Sequence, residues 1–158
     1  METNEKLTEV LNDLIEINND RVKGYEKATE EIKTLDMDLH AIFQSLANDS
    51  RKYASELIQE VNMLGGEFST DTTTSGKIYR TWMGIKATFT GHDRQSILES
   101  CEYGEDAAQE AYTEALASDV EISATLRQLI TSQQASLKIA HNLIKKYRDL
   151  HLAVNASL

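Results

Sequence analysis

The chain is predicted to be all-α, a single four-helix bundle, and three observations carry that expectation. Its 158 residues contain no proline, where roughly eight would be expected at a usual frequency of about 5%. Proline breaks helix interiors but is welcome in turns, so its absence suits long helices joined by few ordered turns. Four long stretches place apolar residues at alternating spacings of three and four, the repeat that gives a helix one apolar face. Aromatic residues make up only 6% of the chain and β-branched runs are scarce, which leaves little material for a sheet.

The first helix is expected over about 4–33, with a stripe of Leu7, Leu11, Leu14/Ile15, Asn18, Val22, Tyr25, Thr29 and Ile32. The second is expected over 36–64, on Leu39, Phe43, Leu46, Ser50, Tyr53, Leu57, Val61 and Leu64. Only Lys33–Asp36 separates these two helices, so they should pack antiparallel. The third is expected over 94–117, on Leu98, Cys101, Glu105, Ala108, Tyr112 and Ala115. The fourth is expected over 119–150, on Ile122, Leu126, Ile130, Gln133, Leu137, Ala140, Ile144 and Tyr147. The third and fourth should also be antiparallel, with Ser118 and Glu121 in a capping-box pattern that satisfies free backbone amides at the start of the fourth.

The middle connection is different. Gly65 and Gly66 stop the second helix, because glycine accepts the left-handed conformation of a helix C-terminus. A Ser/Thr/Asp-rich stretch follows from Ser69 to Ser75, and then a short amphipathic helix is expected over 76–89 on Ile78, Trp82, Ile85 and Phe89. Asp93 is placed to cap the third helix. A crossover from 65 to 93 is long enough to run back along the whole bundle, which is the ferritin-like arrangement rather than the plain up-down-up-down one. The predicted fold is thus a ferritin-like four-helix bundle, one domain over 1–158, with a short helix in the crossover between its second and third helices.

Each stripe is interrupted by a polar residue near its middle: Asn18, Ser50, Glu105 and Gln133, with Tyr25, Tyr53 and Tyr112 close by. Antiparallel pairing puts Asn18 level with Ser50, and Glu105 level with Gln133. Buried polar groups must be hydrogen-bonded and buried charges paired. One polar layer of Asn18, Ser50, Tyr53, Glu105 and Gln133 is therefore expected inside an otherwise apolar bundle, where it would set helix register. Ferritin-like di-metal proteins hold their ions in such a layer, with a Glu from each of two helices and a Glu-x-x-His pair from each of the others. The metal-ligand candidates here are Glu26 and Glu56 beside the first two stripes, Glu102 and Glu105 on the third, and His141 beside the fourth. No Glu-x-x-His occurs; the matching positions hold Glu56 with Gln59 and Lys138 with His141, and a lysine would bring a cation toward the metal. The expectation is accordingly no cofactor, with iron or manganese on those five residues as the alternative.

A net charge of −10 argues against nucleic acid, whose phosphates need clustered Lys and Arg, and against anionic membrane surfaces. No Gly-rich phosphate loop or nucleophile elbow is present, and no catalytic or cofactor-binding residue is expected. His40 and His151 fall near helix ends and His92 in a loop, where surface or capping roles suffice. Cys101 sits on an apolar stripe and reads as a buried small hydrophobe. A single cysteine, a polar Met1–Lys6 and no apolar run of bilayer length lead to the expectation of a cytoplasmic protein.

From about Leu7 to Leu150 the chain carries Leu14, Ile15, Asp20, Gly24 and Tyr25, then Leu57, Gly65 and Gly66, and Trp82 in the crossover. Glu102, Gly104, Glu105, Asp106 and Tyr112 follow, with Gln133 and His141 at the end. In this combination it resembles a ferritin-like family of bacterial four-helix-bundle proteins of uncharacterised function. The resemblance implies a ferritin-like fold and no established reaction, while relatives in the wider superfamily bind iron or manganese or are stress-associated. The functional expectation is a non-enzymatic, stress-associated bundle that forms a homo-oligomer, a dimer first of all because two-fold association is the commonest kind. A di-metal oxidase or iron-handling protein is the alternative.

Overall fold

A computed structural model describes residues 2–32, 36–70 and 94–157. These form four helices: α1 (Glu2–Glu31), α2 (Met37–Met63), α3 (Arg94–Ala117) and α4 (Ala124–Ser157). No strand occurs among the described residues, in line with the all-α expectation. The short helix expected over 76–89, with Trp82 and Asp93, lies outside the described residues.

Side-chain pairs give the direction of each helix. Asn18 bonds Ser50, and a turn or two further along α1 the Tyr25 ring packs 5.5 Å from that of Phe43, so α1 and α2 are antiparallel. Asn18 also meets Tyr112 while Tyr25 meets Glu105, which makes α3 antiparallel to α1. Tyr112 pairs with Gln133 and Asp106 with His141, so α4 is antiparallel to α3. Helices α2 and α3 therefore run the same way. Arg94, which opens α3, accordingly pairs with Asp36 and Asp38 at the start of α2. The order of the four helices is therefore up-down-down-up, the topology that the crossover length led us to expect.

The ends of the helices follow local chemistry. Gly65 has φ +77°, its N–H bonds the Asn62 carbonyl and the next N–H, of Gly66, bonds that of Val61. This pair of bonds satisfies carbonyls that a helix end leaves open, and it needs a residue without a Cβ at Gly65. A Cβ on Gly66 would lie 2.8 Å from Cγ2 of Thr8 on α1, so the second glycine permits the chain to turn close against the first helix. Asn12 and Glu16 then guide the chain along α1 by bonding Glu67 and Ser69. The start of α4 departs from expectation: Ser123 is the cap, accepting a bond from the Leu126 amide at 3.1 Å. Ser118 instead donates back to the Ala115 carbonyl at 2.8 Å. Both are serines that precede an apolar run, but Ser118 lies within reach of the open carbonyls ending α3 and is used there.

The core is divided in two. One apolar cluster is built on Leu7, Leu11, Leu14, Leu57, Val61, Ala108, Tyr112, Leu126 and Ile130. The other is built on Tyr25, Ile32, Leu39, Phe43, Ile97, Leu98, Cys101 and Ile144. Between them, on three helices, lie the buried polar residues Asn18, Arg21, Ser50 and Glu105. Among the described residues, no helix is long and apolar enough to cross a membrane.

Three substitutions test these assignments. Gly65→Ala forces a Cβ into the left-handed region and should lower unfolding free energy by about 1–2 kcal/mol. Ser123→Ala should remove about 1 kcal/mol and Ser118→Ala clearly less. Urea midpoints on the full chain give the order, and a Ser118→Ala cost above that of Ser123→Ala would reverse the cap assignment.

Candidate functional site

Two sets of chemistry-bearing side chains emerge, one inside the bundle and one on its outer face. The interior set begins at Arg21, which is 1% exposed, beside Glu105, which is fully buried. Nε of Arg21 donates to Glu105 Oε1 at 2.8 Å, its Nη2 lies 2.6 Å from the same oxygen, and the Tyr25 hydroxyl donates to it at 2.6 Å. The guanidinium also lies 5.4 Å from the centre of the Tyr25 ring, whose face attracts a cation. Oε2 of Glu105 is buried and makes no hydrogen bond, so the carboxylate faces the arginine through one oxygen.

From Arg21 the hydrogen bonds run in one direction through all four helices. Nη1 of Arg21 donates to the Ser50 hydroxyl, which donates to Asn18 Oδ1 at 2.9 Å. Asn18 Nδ2 donates to the Tyr112 hydroxyl at 2.9 Å, and Tyr112 donates to Gln133 Oε1 at 2.7 Å. Gln133 Nε2 then donates to Glu56 Oε1 at 3.2 Å and to the Tyr53 carbonyl at 3.3 Å. The chain starts at a buried cation and ends on a half-buried carboxylate, so each bond is polarised in the same sense as its neighbours. It leaves Asn18, Tyr112 and Gln133 with partners on at least two helices each.

The acid–base properties follow from burial. Burial opposes the charge on Arg21, but Glu105 beside it more than compensates and raises its pKa. Burial, reinforced by the negative Glu105, holds the Tyr25 hydroxyl and the Cys101 thiol well above their ordinary values. Tyr112 is also raised by burial, against the hydrogen bond from Asn18. All three stay neutral at physiological pH. Cys101, free and buried, is a packing residue without thiolate character.

The outer set lies on the groove between α3 and α4. Asp106 Oδ1 is 2.5 Å from His141 Nε2, and Glu102, one helical turn before Asp106, is held by Arg148 of α4. Glu102, Asp106 and His141 offer ligand atoms that lie within 4.8 Å of one another. Among the described residues, no other group of three His, Cys, Asp or Glu side chains comes together in this way.

A profile for a domain of unknown function, DUF2383, matches residues 6–118. The chain belongs to this family. No curated protein matches it. Among solved structures, it is similar to a Dps1 mutant from Mycobacterium smegmatis, with a TM-score of 0.78 at 13% identity, over 93% of this chain and 97% of that one. That likeness establishes the ferritin-like fold for the DUF2383 chain, as the sequence led us to expect.

The predicted site residues are distributed unevenly. Asn18, Ser50, Glu105 and Gln133 are all buried and all in the interior chain. Tyr53 enters it through its backbone carbonyl, while its half-buried side chain packs on the apolar cluster. Gln133 is not level with Glu105: it faces Tyr112, two turns further along α3, because the late start of α4 shifts its register. The five metal-ligand candidates do not surround one point. Glu105 is taken by Arg21, Glu26 pairs with Arg51 at the surface, Glu56 closes the hydrogen-bond chain, and Glu102 meets His141 in the outer groove. Arg21 and Asp106 were not singled out for these roles. Arg21 fits the stripe between Asn18 and Tyr25 as well as Val22 does, but arginine is assigned to the surface unless a buried carboxylate is known to await it. Asp106 could have been found from its spacing of four after Glu102.

The raised thiol has a consequence for stability. The folded state keeps the Cys101 proton after the unfolded chain has lost it near pH 8.5, so this contribution is present below that pH and declines as pH rises above it. The urea midpoint should fall between pH 8 and pH 9.5, with a slope approaching about 1.4 kcal/mol per unit. Cys101→Ala should flatten that interval, and parallel profiles for the two proteins would contradict the assignment.

Proposed function

We propose that the protein is a non-enzymatic helical bundle whose interior polar chain is structural and which works through self-association, in a stress-associated role. The carrying observation is Arg21. A ferritin-like di-metal bundle gathers carboxylates around cations, and here a guanidinium already neutralises the buried carboxylate on α3. An ion bound to Glu105 would lie about 4 Å from that fixed charge, where repulsion of a divalent cation amounts to about 8 kcal/mol at an effective dielectric constant of 20. The remaining members of the chain, Ser50, Asn18, Tyr112 and Gln133, are neutral donors and acceptors that use one another.

Self-association finds support on α4. Ile139 and Leu150 are exposed there and, three turns apart, share one side of the helix. A homodimer through this side would cover them; the Dps-like fold is compatible with assembly of that kind. Nucleic acid and membrane are not proposed as partners, given the acidic surface.

Aerobic oxidation of ferrous iron tests the reading. The purified chain should leave the rate at its buffer value. An acceleration that survives His141→Gln, and so does not arise in the outer groove, would contradict a structural interior.

A further inference from the structure

The groove between α3 and α4 holds donor atoms that neither the core nor the interior chain uses. Glu102 and Asp106 are four residues apart on α3 and so share one face; His141 meets them from α4. The geometry points to a binding site for a single divalent transition ion of the zinc class, held by His141 Nε2 and by one oxygen each of Asp106 and Glu102. Water would complete its coordination from the solvent side.

Four features support this. First, the mutual spacing within 4.8 Å needs only small side-chain rotations to place all three atoms at about 2.0–2.2 Å from one ion. Asp106, 63% exposed, has the freedom to make them. Second, the donor set mixes imidazole nitrogen with carboxylate oxygen, which suits zinc and its neighbours better than magnesium or calcium. Third, the groups behind the ligands are in place. Asn142 Oδ1 lies 3.4 Å from His141 Nδ1, where it can accept that N–H and direct the Nε2 lone pair at the carboxylates. Arg148 bonds Oε2 of Glu102 and orients the carboxylate; unlike the sealed Arg21, this guanidinium is partly open to solvent and is shared with Asp149, so its repulsion of an ion is screened. Fourth, the ligands bridge two helices, so an ion would tie α3 to α4 where the fold already brings them together. This site is independent of the interior reading, since none of its ligands belongs to the Arg21 chain.

The test uses the full chain without a polyhistidine tag, freed of metal by chelation and titrated with zinc chloride in a calorimeter. One ion per chain should bind saturably, and zinc should raise the thermal midpoint, because a ligand that prefers the folded state stabilises it. His141→Gln and Asp106→Asn should each weaken binding at least tenfold and abolish the rise in midpoint. Glu114→Gln, an exposed acid elsewhere on α3, should change neither. Absence of saturable binding, or undiminished affinity in either ligand variant, would overturn the assignment.

Discussion

Two opposite charges, Arg21 and Glu105, are sealed inside this bundle, and the arrangement of the other helices can be read as the condition for keeping them there. Taking a guanidinium and a carboxylate out of water is costly, and their mutual attraction offsets that cost only when the geometry is good and the remaining donors are satisfied. Here Glu105 receives Arg21 Nε and the Tyr25 hydroxyl together and Arg21 Nη1 donates to Ser50, while Nη2, 2.6 Å from Glu105 Oε1, makes no hydrogen bond. A shift of α1 against α3 by one residue would separate the charges by a third of a turn. The pair thus fixes the register between α1 and α3, and Ser50 extends that register to α2. Tyr112 and Gln133 carry it on to α4.

The division of the core into two apolar clusters has the same origin. A polar belt at the boundary makes each half's packing depend on the belt being correctly assembled, so apolar contact alone does not determine which residues face each other. Hydrophobic stripes on four helices could slide by a turn at modest cost; a buried charge without its partner could not. Specificity of this kind comes at some expense in stability relative to an all-apolar core of the same shape.

The helices, their directions and the crossover topology were legible from the spacing of apolar residues, the two glycines after α2 and the short links on either side. Asn18, Ser50, Glu105 and Gln133 were legible as interruptions of those stripes. Arg21 was not, because the stripe offers Val22 beside it and the default for a long cation is the surface. The level of Gln133 was missed for a reason of length: helix α4 starts at Ala124, capped by Ser123, and every facing pair moves accordingly. The outer group was half legible. Glu102 and His141 stood out by type, but only the packing of α3 on α4 shows that they meet each other, with Asp106, rather than meeting Glu105 inside.

Membership in DUF2383 and a Dps-like fold do not by themselves assign chemistry, since one fold carries many functions. This chain's own residues form two separate sets, a buried one around Arg21 and Glu105 and an outer one of Glu102, Asp106 and His141, to which we propose a structural and a metal-binding role respectively. The claim on which the account rests is that Arg21 and Glu105 depend on each other, and a double-mutant cycle measures this most directly. Unfolding in urea would be followed for the parent chain, Arg21→Met, Glu105→Leu and the double variant. Each single change should cost about 3–5 kcal/mol by stranding a buried charge. The double variant should cost less than either, a strongly favourable coupling. Costs that simply add would contradict the account.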